Sequence, residues 1–280
     1  MKITLVTDST CDLTPKELAD QGILFASLKV LFKDAEYIDK INLDTATFYE
    51  KLKVSPELPT TSQVNPNEFY DIFSAELEKG NEVLGIFISS ELSGTFNSAQ
   101  IAKEMINSDK IHLVDSRTTS FSLALILLRV NQWIKEEKSM EIIQVELQQL
   151  VEKAQLYGTL ETLENLRKGG RLSSGTAMIG KMLNLKPIIE VKNGVVEMAN
   201  KVRGSRKGMA WMIEQLKKDY PDGIIEDIAI AHAHDLKKLA DIKALILEEF
   251  SVQRLYEVEI GPVVGTHTGE GVVGIAYFRK

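Results

Sequence analysis

A single cysteine, Cys11, in 280 residues rules out an intramolecular disulfide and fits a reducing compartment. Basic excess is missing as well: the formal charge is -7 at pH 7, which argues against a nucleic-acid binder. No apolar run approaches a membrane span; the longest candidate, Leu123 to Leu128, is far too short and meets Arg129. The opening run Ile3-Thr4-Leu5-Val6 is soon followed by Asp8 and has no signal-peptide character. The Walker pattern G-x-x-x-x-G-K-[ST] does not occur. These absences leave a soluble, cytoplasmic protein as the expectation, long enough for one large or two ordinary domains.

What is present is a repeated pattern. Ile3 to Val6 leads into Thr7-Asp8-Ser9-Thr10, Val83 to Ile88 into Ser89-Ser90-Glu91-Leu92-Ser93-Gly94-Thr95, and Ile111 to Val114 into Asp115-Ser116-Arg117-Thr118-Thr119-Ser120. Short apolar runs bounded by turn signals read as buried strands, and helical patterns separate these three. Alternation of strand and helix implies a parallel sheet, whose ligands bind beyond the carboxyl ends of its strands. Three hydroxyl-rich turns at one sheet edge suit an oxyanion.

Helix signals fill the gaps. Thr14-Pro15-Lys16-Glu17 is a capping box with proline at the first helical position. Asp44 caps a helix carrying Phe48, Tyr49 and Leu52; Asn65-Pro66 opens another that Gly80 ends; Ser93 stands where the next begins. Ser120 to Ile134 and Met140 to Tyr157 read as two more, the second closed by Gly158. Beyond this point the pattern changes. Lys186 to Val191 and Val195 to Lys201 flank Asn193-Gly194, a two-residue hairpin signal. A helix around Met209 to Lys218, a strand at Ile228 to Ala231, a helix at Leu236 to Phe250 and strands near Leu255 to Ile260 and Val272 to Phe278 follow. The expected fold is two α/β domains, 1–160 with a parallel sheet and 161–280 with a mixed sheet, meeting at a ligand cleft.

Four constellations could carry chemistry. Pro59-Thr60-Thr61-Ser62-Gln63 offers hydrogen-bond donors just ahead of a helix, but alone it reads as a capping loop. Ser93-Gly94 at a strand-to-helix turn can hold an anion with its hydroxyl and the following amides, a role compatible with capping. It does not match the nucleophile elbow G-x-S-x-G. Gly261 to Gly271 holds four glycines and reads as a sharply bent loop with His267 at its centre, placed to donate to an anion. Lys168-Gly169-Gly170-Arg171 and Arg203 with Lys201, Arg206 and Lys207 form local basic density, either solvated turns or a phosphate or partner site. His232 and His234 have no metal-ligand company in sequence, and Asp8, Asp12 and Asp115 are explained as easily by turns as by Mg²⁺. Met178, Met182, Met198, Met209 and Met212 cluster, with core packing the simplest account.

Taken in order, these motifs resemble the DegV family of fatty-acid-binding proteins. The resemblance rests on Thr7-Asp8-Ser9, Pro59 to Gln63, Ser89 to Thr95, Asp115-Ser116, Leu163 through Leu172, Leu185-Lys186-Pro187, Lys201 to Gly204 and Gly261 to Gly271. It implies one long-chain fatty acid buried between and within two α/β domains. The carboxylate would be held by Thr61 and Ser93, with Ser62, Gly94 and His267 close by. It further implies a carrier with no catalytic activity or cofactor of its own, which presents the carboxylate to an ATP-dependent kinase for acyl-phosphate formation in phospholipid metabolism. Arg171 and Arg203 would serve the phosphate or kinase docking, and transient membrane contact is compatible with such a role. Ser122 and Ala124 stand where the family often has glycine, and Glu270 where it usually has proline. The rival reading is an esterase or acyl-phosphate hydrolase using Ser93 with His267 as base; a lipid-responsive regulator is a third.

Overall fold

A computed structural model describes residues 2–173 and 185–280. Along the chain, β1 (Ile3–Asp8) passes through a 3₁₀ turn (Ser9–Cys11) to α1 (Pro15–Gln21). Then come β2 (Leu24–Ala26), β3 (Lys29–Leu31), β4 (Glu36–Ile38), α2 (Thr45–Val54), β5 (Thr60–Ser62) and α3 (Pro66–Glu78). The next stretch holds β6 (Glu82–Phe87), α4 (Thr95–Ile106), β7 (Ile111–Asp115), α5 (Ser120–Lys135) and α6 (Met140–Lys153). The remainder is β8 (Ala154–Thr159), α7 (Glu164–Lys168), β9 (Lys186–Lys192), β10 (Val195–Val202), α8 (Ser205–Asp219), β11 (Ile224–His232), α9 (Leu236–Glu249), β12 (Ser251–Glu259), α10 (Pro262–Thr268) and β13 (Val273–Phe278).

The three apolar runs pair as expected: β1, β6 and β7 are parallel neighbours in a four-stranded sheet ordered β2-β1-β6-β7. A six-stranded mixed sheet runs β10-β9-β8-β13-β11-β12. Its first pair is the anticipated hairpin, with Asn193 and Gly194 both at positive φ, as a type I′ turn demands. The Thr14 capping box and the Asp44 and Asn65 caps are all formed.

Between the two sheets lies α5. It is buried almost all round and packs against β1 on one side and β8, β11 and β13 on the other. A helix apolar on every face belongs in an interior. Ser122 and Ala124 are part of this helix and are buried in it. One hydrophobic cluster accordingly runs from Val6, Leu84 and Ile86 through Leu125 to Leu156 and Val196. A second, with Met209, Met212, Ile228, Ile242 and Tyr277, fills the space under α8 and α9. Met209 and Met212 are thus core residues; Met178 and Met182 lie outside the described residues.

Three expectations need correction. The helix from Met140 stops at Lys153, and Ala154–Thr159 is a strand held between β13 and β9. The change of sheet therefore falls at Ala154, ahead of the 160/161 division. Gly261 to Gly271 is not an open loop, since α10 occupies its first half with Pro262 at the first helical position. Its helix packs tightly: a Cβ on Gly265 would stand 2.8 Å from both Phe48 Cε1 and Tyr49 Oη. Finally, Thr60–Ser62 is a strand of a small antiparallel sheet, β4-β3-β5, with Thr61 paired to Val30.

Candidate functional site

The carboxyl edge of the parallel sheet does not use its three polar turns alike. The first is committed to the interior. Asp8 accepts from the Thr10 amide at 2.9 Å and the Ile88 amide at 2.8 Å, while Ser9 Oγ accepts from the Leu28 amide at 3.1 Å. In the second turn Ser90 donates to Asp115 at 2.6 Å and Ser89 donates to the Gly194 carbonyl at 2.8 Å. That leaves Ser93 and Gly94 of the second turn, and Thr119 and Ser120 of the third, on the wall of a cavity of about 280 Å³.

The cavity lies where the sheets meet. Ile88 and Leu92 from the first sheet's edge, Phe121 of α5, Leu156, Ile189 and Val196 of the second sheet, and Val263 and Val264 of α10 give it an apolar wall. At one end Thr61, Ser62, Gln63, Ser93, Gly94, His267 and Arg171 supply polar groups. Among the described residues on the wall, Arg171 is the one permanently charged side chain, and no carboxylate joins it. Gln63 is exposed and the other polar residues are half-buried, whereas most of the apolar wall is fully buried, so the polar end faces outward.

Chain segments far apart in sequence assemble this end. Because α10 packs on β5 and α7, His267 in its last turn reaches Thr61, with Nε2 at 2.8 Å from the Thr61 hydroxyl. Burial, reinforced by the Arg171 guanidinium, pushes the imidazole down to about 4, so it is neutral near pH 7. Its Nδ1 is buried without a hydrogen-bond partner among the described residues, against Gly169, where a side chain would collide with the ring. With the proton on Nε2 the ring donates to Thr61, and the threonine hydrogen is free to point at an acceptor in the cavity.

Ser93 Oγ shares a hydrogen bond with Thr95 Oγ1 at 2.9 Å and accepts from the Thr95 amide at 3.3 Å, at the mouth of α4. Gly94 backs directly onto the Gln63 amide, whose Nε2 donates to Ser98 at 2.9 Å. Arg171 donates from Nε to the Leu92 carbonyl at 3.1 Å and from Nη1 to the Gly169 carbonyl at 2.6 Å. Its charge is thereby fixed beside Ser93 and His267.

Of the residues expected from the sequence, Thr61, Ser62, Ser93, Gly94, His267 and Arg171 line one cavity, and Arg203 does not. Arg203 is exposed at the turn before α8. Glu270 is also off the wall, ion-paired to Lys53 at 2.9 Å. Thr119 joins the wall without being expected there: its Oγ1 is buried with no partner among the described residues, and the sequence signal for it is its place in the turn after β7. A Ser93–His267 catalytic pair is not assembled. The serine hydroxyl is engaged with Thr95, the ring with Thr61, and among the described residues no acid orients Nδ1. Asp8 and Asp115 serve turns, and no group of metal-binding side chains occurs among the described residues. No helix among them is long and apolar enough to cross a membrane.

Fold and site together define an α/β protein with an apolar cavity between its two larger sheets, whose outer end carries hydroxyls, a neutral histidine and an arginine. The family model described as uncharacterised protein, DegV family, matches residues 2–280, and the chain belongs to the DegV family. Protein DegV of Bacillus subtilis is 34% identical over 282 residues, covering all of both chains. Its crystal structure, described as a fatty acid binding protein, superposes with a TM-score of 0.88 over the full length of both. A DegV family protein from Thermus thermophilus, described for fatty acid binding, is 30% identical with a TM-score of 0.93, again covering both chains completely. A DegV family protein from Ruminococcus gnavus, solved with vaccenic acid, is 26% identical with a TM-score of 0.88 and 99% of each chain covered.

Proposed function

We propose that this chain binds one long-chain fatty acid, with the tail along the apolar wall and the carboxylate at the Thr61–Ser93–His267 end. The observation that carries the reading is the polarity of the cavity: buried aliphatic residues along it, half-buried hydroxyls and Arg171 at one end. The bound fatty acids of the DegV relatives support the same reading. Burial contributes about 0.8 kcal/mol per methylene, so a tail of about fourteen yields roughly 11 kcal/mol gross. Association and chain ordering cost at least about 4 kcal/mol. The tail therefore supplies affinity, and the polar end sets orientation.

The finer role we infer is that of a carrier for a separate ATP-dependent kinase. A carboxylate held by Thr61 and Ser93 hydroxyls, with Ser62 and Gly94 beside them, keeps an oxygen lone pair outward. That oxygen would bond to the γ-phosphorus of ATP while the bond to the β-phosphate oxygen breaks, releasing ADP and leaving an acyl phosphate. The kinase supplies the nucleotide; Arg171 would stabilise the growing negative charge, and exposed Arg203 would dock the partner. Ester hydrolysis by Ser93 is less well supported, because among the described residues no general base contacts its hydroxyl. Titrating the delipidated chain with fatty acids tests binding: a single saturable site is expected, and failure to take up any fatty acid would overturn the reading. Adding kinase and ATP to the loaded chain tests the carrier role through formation of acyl phosphate.

A further inference from the structure

Both α5 and α10 bring polar groups to the cavity, and neither caps its own start. Gly261 precedes α10 and has no side chain; Thr119 precedes α5 and makes no side-chain cap bond. Both starts are tied instead to one remote residue, Asp12. Its Oδ1 accepts from the Gly261 amide at 3.0 Å, and its Oδ2 accepts from the Ser120 hydroxyl. These partners lie 249 and 108 residues away along the chain. Asp12 is only 5% exposed and follows the 3₁₀ turn after β1, so the tie originates in the first sheet. Lys40 supplies the nearby positive charge.

The backbone is consistent with a built junction. Asp12 and Ser120 both have left-handed conformations, at φ 60° and 56°, which non-glycine residues hold only where their surroundings enforce it. Downstream of Ser120 the helix carries Phe121 on the wall, and upstream is Thr119, whose hydroxyl has no partner among the described residues. Downstream of Gly261 the helix carries His267.

We propose that Asp12 is a positioning residue for the fatty-acid head group: its buried carboxylate fixes the starts of α5 and α10 relative to each other. In doing so it sets where Thr119, Ser120 and His267 stand around the ligand carboxylate, which Asp12 itself does not touch. The inference rests on the fatty-acid reading given above.

The test uses the full-length delipidated chain and two probes, palmitate and methyl palmitate, each competing against a fluorescent fatty-acid analogue. Wild type should prefer the acid. Asp12→Ala should lower palmitate affinity about tenfold or more, a large but single-interaction effect, while leaving methyl palmitate nearly unchanged. Asp12→Asn keeps an oxygen for the Gly261 amide and an amide that Ser120 Oγ can accept, so it should retain most of the acid preference. Should Asp12→Ala fail to fold, Asp12→Ser, with one short acceptor, should show the same selective loss in smaller measure. Equal loss for acid and ester, or an unchanged ratio in the Ala and Ser variants, would overturn the positioning role. A wild-type chain that takes up neither probe would instead overturn the fatty-acid reading, a failure visible before any variant is made.

Discussion

Thr61 and His267 are 206 residues apart in sequence, yet the threonine hydroxyl and the imidazole Nε2 lie 2.8 Å apart. One belongs to a three-residue strand and the other to the last turn of a short helix. Their contact joins the small antiparallel sheet to the segment between β12 and β13, and it forms the polar end of the cavity.

Removing head-group hydroxyls should therefore weaken retention without unfolding the chain. Thr61→Ala and Ser93→Ala should each cost about 1–2 kcal/mol of binding, roughly 5–30-fold in affinity. Both side chains are only half-buried, so melting temperatures should move little. Displacement titrations check this; a double variant binding as tightly as wild type would contradict the assigned head-group site.

His267 gives stability a pH dependence of known sign. Its imidazole is pushed down to about 4 by burial and by Arg171, against about 6.5 in an unfolded chain. In that window the unfolded chain binds more protons, so stability falls as pH drops from about 6.5 towards 4. The loss should reach about 3 kcal/mol at most. Asp12 and Asp39, pushed up by burial to about 7 and about 6, act oppositely and lose stability as pH rises through those values. Denaturant titrations of wild type and His267→Asn isolate the histidine: the difference should be flat above pH 7 and turn against wild type on acidification.

Gly265 is needed for close packing. Gly265→Ala would press a methyl group against Phe48 and Tyr49 and disturb the 3.0 Å bond from Tyr49 to the Ile260 carbonyl. A destabilisation of about 1–3 kcal/mol is expected from such overpacking, measured by chemical unfolding.

Arg203 is exposed and away from the cavity, so on the proposed carrier role Arg203→Ala should leave fatty-acid affinity unchanged and slow phosphorylation by an added ATP-dependent kinase. Arg171→Ala should affect both, since that side chain braces the turn before Ser93 through the Leu92 carbonyl. Kinase assays on preloaded protein separate the two; equal rates for wild type and Arg203→Ala would remove the docking role.

Much of the fold is legible in the sequence because the parallel strands are written as apolar runs ending in polar turns, and the caps at Thr14, Asp44 and Asn65 act locally. The three-residue strands β3, β4 and β5 carry too little periodicity to be seen. Gln155 to Tyr157 continues a helical pattern, and pairing with β13 and β9 makes it a strand. The glycines around His267 suggested an open loop, whereas Gly265 is there for a helix to approach Tyr49. The site was legible as separate motifs. That Thr61 meets His267, and that Asp12 holds two distant helix starts, depends on tertiary packing that no local spacing records.

The most direct measurement is native mass spectrometry of the freshly purified chain, paired with solvent extraction and identification of the released lipid. The account predicts one fatty acid per chain, lost more readily from the Thr61→Ala, Ser93→Ala double variant. A chain that emerges empty and also fails to take up added fatty acid would contradict it.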